Sequence, residues 1–335
     1  MYNMRYKYFY MLGILLVFLG SSYAENSVKH YNIPVSINTL IEGGKQKDAI
    51  ILINQIIEEK KSNLSKTKKI DTMQFASLYD EIAELMILKN QLLSDIKKIY
   101  DIDTDQICNF ILDYEEVEFI KTQYYKTPFH DDVAKTLTNI TKLYEYCHPP
   151  LAEKYLKSIL KIKENVYGEN SEDVAQSLDD LAYFSRVHTF IFDDAIKQYQ
   201  KAKAIRKAIY TKDDSKVTKN YARLAIVIFY HKSDKVKAEQ LILESLNIRK
   251  SDKNANSIFI YQALIDTAYF YDLTGNYKKS LKYLKEAEKL LQELGKENSP
   301  EMVEVYKSIS TLYLNMDDEK ASHLYLKKAL SVKVR

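Results

Sequence analysis

The chain has 335 residues, more than one hydrophobic core usually holds, so it is expected to fold as two domains or as one elongated array of repeats. Its 7 Gly and 5 Pro are too few to punctuate an all-β protein, whereas 46% hydrophobic and 28% charged residues suit long amphipathic helices. With 49 basic against 46 acidic residues and no block of like charge, the sequence lacks the electrostatic footprint of a nucleic-acid binder.

Residues 1–24 read as an export leader. Arg5 and Lys7 precede an apolar run from Phe9 to Leu19, and Ser22, Tyr23 and Ala24 offer small residues at the cleavage positions. An uncleaved helical anchor needs about 20 apolar residues, and this run has 11. A cleaved leader is therefore expected, with a periplasmic or secreted destination. Cleavage would remove two basic residues and no acid, leaving 47 basic against 46 acidic. Cys108 and Cys147 are the only cysteines. An oxidising compartment permits a bridge between them, and two separate thiols are the other reading.

Residues 25–44 are polar, contain Pro34 and are expected to be extended. Residues 45–129 carry helical patterns without a clear repeat, including the stripe Ile82, Leu85, Met86, Lys89 and Leu93. They read as a helical amino-terminal cap or as decayed repeats, since the ends of repeat arrays are commonly atypical; a separate small domain is the alternative. Pro128 marks the expected boundary.

From residue 130 onward a period of about 42 residues governs the chain. Ile140, Leu181, Leu224, Thr267 and Ile309 recur at intervals of 41, 43, 43 and 42, each followed by a small residue: Thr141, Ala182, Ala225, Ala268 and Ser310. A second small residue stands 12 to 14 positions past each apolar marker, at Ala152, Ala195, Ala238, Ser280 and Ala321. Paired antiparallel helices need small side chains where their ridges cross, so five helix pairs are expected over 130–335. The connectors repeat too: Gly168 and Gly295 stop a helix and Ser171 and Ser299 cap the next, the latter followed by Pro300 and Glu301.

The segment from Tyr167 through Gly168, Glu169, Asn170 and Ser171 to Leu181 and Ala182, and the turn Gly275, Asn276, Tyr277, Lys278, Lys279 and Ser280, resemble tetratricopeptide repeats of the long, kinesin-light-chain type. The resemblance covers roughly residues 130–335. The Asn often found before the Leu-Ala pair appears only as Asn139, and the Gly before the second helix only as Gly275. The likeness implies an all-α, right-handed superhelix of helix pairs. HEAT and armadillo arrays share the period and are the alternative α-solenoids.

Such a superhelix implies a concave face lined by the first helix of each unit. The corresponding positions are Lys135, Asn139 and Lys142; Gln176, Asp179, Asp180 and Tyr183; Lys219, Arg223 and Ile226; and Gln262, Asp266 and Tyr269. Their charges alternate by unit, basic then acidic, which suits the side-chain amides and charges that grip an extended peptide. No catalytic residue, metal ligand or cofactor is expected. Gly43-Gly44 lacks the context of a phosphate loop, and the six histidines have no metal-ligand spacing. Tyr144, Tyr271 and Tyr313, each four residues past the periodic marker, are expected to pack between helices. The expected activity is therefore protein or peptide binding by an exported scaffold, monomeric as a working expectation. A secreted host-interaction factor using the same surface is the alternative, and an enzyme seated in residues 25–129 is a remoter one.

Overall fold

The computed structural model describes residues 34–67, 72–95, 104–147, 149–212, 214–252 and 255–332. Among them are 14 α-helices and no strand. The leader expected over residues 1–24 lies outside the described residues. The chain divides into two compact units, the first ending at Ile162 and the second beginning at Lys163.

The first unit contains α1 (Val35–Glu42), α2 (Gln46–Thr67), α3 (Thr72–Asp95), α4 (Thr104–Tyr125), α5 (Asp131–Cys147) and the start of α6 (Pro149–Tyr167). The extended segment expected up to residue 44 is corrected by α1. Pro34 stands at its N-cap, where a missing N–H is harmless, and its carbonyl accepts from Ile37 N at 2.9 Å. Gly44 closes the helix at φ +71°, and Lys45 N reaches back to Leu40 O at 2.8 Å. The apolar Ile37 of this turn is fully buried, which outweighs its polar neighbours.

α3 is buried on nearly every side, and α4 and α5 both pack on it. The three helices share a buried polar network. Lys121 of α4, 2% exposed, pairs with Asp80 of α3 and lies 3.0 Å from Asp132 of α5. Asp80 also accepts from Tyr114 Oη and, at 3.1 Å, from Thr136 Oγ1. This network joins α5 to the helices before it, so the division between units falls within α6 and not at the expected 129/130. α5 also touches α6, through Tyr144 stacked on Tyr155 with centroids 5.6 Å apart.

The second unit is regular. α7 (Glu172–Val187) packs on α8 (Phe192–Ile209), α9 (Tyr221–Lys232) on α10 (Lys235–Ser251), α11 (Ser257–Leu273) on α12 (Tyr277–Glu293), and α13 (Pro300–Asn315) on α14 (Glu319–Ser331). Each pair also contacts the next. The caps follow the residues: Ser171 accepts from Val174 N and Ser299 from Met302 N, both at 3.3 Å, while Gly168, Gly275 and Gly295 hold positive φ. Ala182, Ala195, Ala225 and Ala238 are wholly buried in one shared core, as expected of a helix crossing. One expected position shifts by a residue. In the last pair Ser322, and not Ala321, occupies the crossing, where its carbonyl accepts from Ser310 Oγ at 2.9 Å. Asp318 caps α14, and the fourth residue past the cap is the crossing residue, as Ala238 is past Asp234 and Ser280 past Asn276.

Candidate functional site

The first helices of the second unit carry a recurring set of side chains. Gln176, Asp180 and Tyr183 stand one turn apart along one face of α7, and Gln262, Asp266 and Tyr269 hold the same positions on α11, 86 residues later. In both helices the amide donates to the carboxylate, Gln176 Nε2 to Asp180 Oδ1 at 2.8 Å and Gln262 Nε2 to Asp266 Oδ1 at 3.1 Å. Arg223 takes the matching place on α9, 43 residues from each aspartate. All seven side chains are half-buried. The face is therefore an acidic, basic, acidic row flanked by amides and tyrosines.

Electrostatics follow from this half-burial. Burial raises the Asp266 carboxyl above its ordinary range, against the opposing pull of Arg249, Gln262 and Arg223. Burial raises the Tyr269 hydroxyl as well, while Arg186, in the last turn of α7, acts on it from two repeats away. Farther along, Asn315 of α13 donates to Asp272 of α11 at 3.3 Å.

Three residues expected on the face are corrected. Asp179 is fully buried: its Oδ2 lies 2.7 Å from Arg206 Nη1 of α8, and Asn220 Nδ2 donates to its Oδ1 at 2.8 Å. It stands one position off the stripe of Gln176, Asp180 and Tyr183 and so turns into the seam between repeats. Ile226, in register with Tyr183 and Tyr269, is 3% exposed and so offers a ligand almost no surface. Asn139 is 3% exposed and donates to Tyr114 Oη at 3.2 Å, inside the first unit. Lys135 and Lys142 also belong to α5 of that unit; Lys135 pairs with Glu84 at 2.8 Å and Lys142 is half-buried. Lys219 precedes α9 and pairs with Glu172 at 3.1 Å.

Side chains that the sequence did not single out organise the seams. Arg206 holds Glu172 through Nε at 2.9 Å as well as Asp179. Burial pushes the Glu172 carboxyl up, but Arg206 and Lys219 outweigh it and leave the group below its ordinary range. Arg249, 43 residues after Arg206, instead donates to Thr218 Oγ1 at 2.8 Å and to Phe259 O at 3.1 Å. That 43-residue spacing of two arginines was the available signal.

Cys108 of α4 is disulfide-bonded; Cys147 ends α5, and its side chain lies outside the described residues. Among the described residues no three His, Cys, Asp or Glu side chains gather into a metal site, and no helix is long and apolar enough to cross a membrane. The face offers hydrogen-bond donors and acceptors in alternation with aromatic rings, a chemistry of grip.

No family model and no curated protein matches the sequence. Solved structures do. BtubC (BKLC) from P. vanneervenii superposes with a TM-score of 0.50 at 18% identity, over 75% of this chain and 92% of that one. The TPR-like repeats of a putative kinesin light chain from Podosopora anserina match with a TM-score of 0.50 at 12% identity, over 61% of this chain and 96% of theirs. A signal transduction ATPase with numerous domains and a tetratricopeptide repeat sensor, from Pyrococcus horikoshii, matches with a TM-score of 0.51 at 17% identity, over 89% of this chain and 40% of its own length. At such identities the likeness speaks for the fold, and with the 42-residue period and the paired helices it establishes this chain as an α-solenoid of long tetratricopeptide-like repeats.

Proposed function

We propose that this protein is an exported scaffold that binds an extended peptide segment of a protein partner along the inward face of α7, α9 and α11, and that it catalyses no reaction. The observation that carries the reading is the duplicated set Gln176, Asp180, Tyr183 and Gln262, Asp266, Tyr269 with Arg223 between them. Side chains placed only for packing have no reason to repeat as half-buried polar groups on one face. A peptide backbone can exchange hydrogen bonds with the amides, and the tyrosines offer flat apolar contact without much loss of side-chain freedom.

Export rests on the leader, Arg5 and Lys7 before the apolar run and Ala24 at its end. It fits a Cys108–Cys147 bridge, which would tie α4 to the end of α5 in an oxidising compartment. Mass spectrometry of the mature protein should find Glu25 at its amino terminus, and non-reducing peptide mapping should find the two cysteines joined. An intact leader or two free thiols would remove this part of the reading.

The binding reading is tested by chemical crosslinking in the native cell, comparing the wild type with a variant carrying Arg223→Glu and Asp266→Arg. Recovery of one partner by the wild type, with its loss in the variant, is the expected outcome. Equal recovery by both proteins would mean that the partner docks elsewhere.

A further inference from the structure

Arg186 is the one side chain on this face whose chemistry is unfinished. It is 8% exposed, its Nε has no hydrogen-bond partner, and none of the ion pairs among the described residues includes it. Its neighbours are rings. The guanidinium lies 5.3 Å from the centroid of Tyr183, one turn back on α7, and acts electrostatically on the hydroxyls of Tyr199 on α8 and Tyr269 on α11. The buried Tyr199 hydroxyl lies close enough to the guanidinium for Arg186 to oppose the upward push of burial on it, yet no hydrogen bond of ordinary geometry joins the two, and a neutral hydroxyl does not compensate the charge.

This setting differs from that of the other buried guanidiniums in the unit. Arg206 is closed by two carboxylates, and Arg249 spends its donors on Thr218 and on the carbonyl of Phe259. Removing a cation from water without a partner is costly, and a ring face returns only part of that cost. In the free protein Arg186 therefore keeps an unmet demand for an anion, at the edge of the row that carries Gln176, Asp180 and Tyr183.

We infer that Arg186 is an anchor for a single carboxylate of the bound peptide, received beside the Tyr183 ring. This rests on the peptide-binding reading of the same face. A guanidinium offers paired N–H groups that match the two oxygens of a carboxylate. The aspartates nearby, Asp180 and Asp266 on the row and Asp272 beside Tyr269, would repel a doubly charged group more strongly than a singly charged one. The carboxylate comes from a Glu or Asp side chain or from the chain terminus; the chemistry is shared, and the two sources separate by experiment.

The probes are three pools of synthetic ten-residue peptides with an acetylated amino terminus and otherwise randomised neutral positions. One has a fixed central Glu and an amidated end, the second a central Gln and a free carboxyl end, and the third a central Gln and an amidated end. Each pool is equilibrated with the full mature protein, wild type or Arg186→Gln, and the retained peptides are quantified. The wild type should retain the Glu pool or the free-acid pool about tenfold or more above the neutral pool, as expected for a charge-assisted pair shielded from water. Arg186→Gln should bring all three to the neutral level. Preference for the Glu pool identifies a side chain, and preference for the free-acid pool a terminus.

Equal retention of all three pools by the wild type, or a preference that survives Arg186→Gln, overturns the anchor while leaving peptide binding intact. Retention of none overturns peptide binding on this face, and the anchor with it. Because the substitution could disturb α7, the wild type is also followed alone. Its Arg186 Nε–H resonance should shift on adding the retained acid pool and stay still with the neutral pool; a resonance unmoved by either contradicts the anchor whether or not the variant folds.

Discussion

The two units arrange their polar links in opposite ways. In the second, the polar links run between neighbouring repeats and recur with the period. Lys207 meets Glu244 at 3.0 Å and Lys250, 43 residues later, meets Glu286 at 2.7 Å; Arg206 and Arg249 fill equivalent places in successive seams. In the first unit the polar groups converge on one point, where Asp80, Tyr114, Lys121, Asp132 and Thr136 come from three helices with no common spacing. A periodic design spreads its links over many seams and depends little on any one of them. A convergent network concentrates them, so losing one member strands the others away from water.

The largest effect is therefore expected in the first unit. Lys121→Met should cost about 3–5 kcal/mol, because it leaves Asp80 buried without its cation and Asp132 with less compensation. Urea unfolding of the purified protein reads this directly, and a change below about 1 kcal/mol would place the network at a solvated surface. In the second unit, charge reversal at one exposed strut such as Lys207 should stay near the small values of surface pairs.

Packing in the second unit is the next largest lever. Ala225 is fully buried where α9 crosses α10, so Ala225→Phe should overpack the crossing and cost about 1–3 kcal/mol. Because each repeat leans on the next, hydrogen exchange should quicken in α7, α8, α11 and α12 as well as in α9 and α10. Protection lost in α9 and α10 alone would show that the repeats are not coupled. A smaller loss is expected at a cap: Ser171→Ala removes the oxygen that accepts from Val174 N and should cost about 1 kcal/mol, read in the same unfolding experiment.

The contrast also explains what could be read from sequence. The period, the small crossing residues, the glycine stops and the Ser caps are local or repeat regularly, so the second unit was legible down to individual residues such as Ala182 and Ser299. That Gln176, Asp180, Tyr183, Arg223, Gln262, Asp266 and Tyr269 hold equivalent, half-buried places on their helices follows from the same period. Asp179 was misplaced because one step on a helix turns a side chain by about 100°, and only the partner Arg206, 27 residues on, reveals which way it faces. The first unit has no period to extrapolate from. Asp80 and Thr136 meet across 56 residues, and no pattern in either helix announces it. What distinguishes Arg186, a buried Nε without a hydrogen bond and no carboxylate beside it, depends on where every neighbour lies and leaves no trace in the sequence.

The smallest expected effect lies within the second unit and depends on pH. His188 follows α7 and stacks on Phe184 with centroids 4.7 Å apart; burial lowers its pKa below the ordinary 6.5. In the unfolded chain the imidazole takes up a proton near its ordinary pKa, while in the folded chain it resists until a lower pH. As pH falls through 6.5 the unfolded state therefore binds more protons, and stability drops until the folded pKa is passed. Above 6.5 both states are neutral and the contribution is flat. Glu172 acts in a separate window, since its lowered carboxyl stabilises the fold above its ordinary 4.5 and loses that contribution as pH falls below it. Unfolding midpoints measured at pH 7.5 and 5.5 should thus differ in the wild type and converge in His188→Gln, whereas Glu172→Gln should leave the difference between those two pH values unchanged. A wild type equally stable at both would mean that the end of α7 opens to water, and the Arg186 neighbourhood two residues away would open with it.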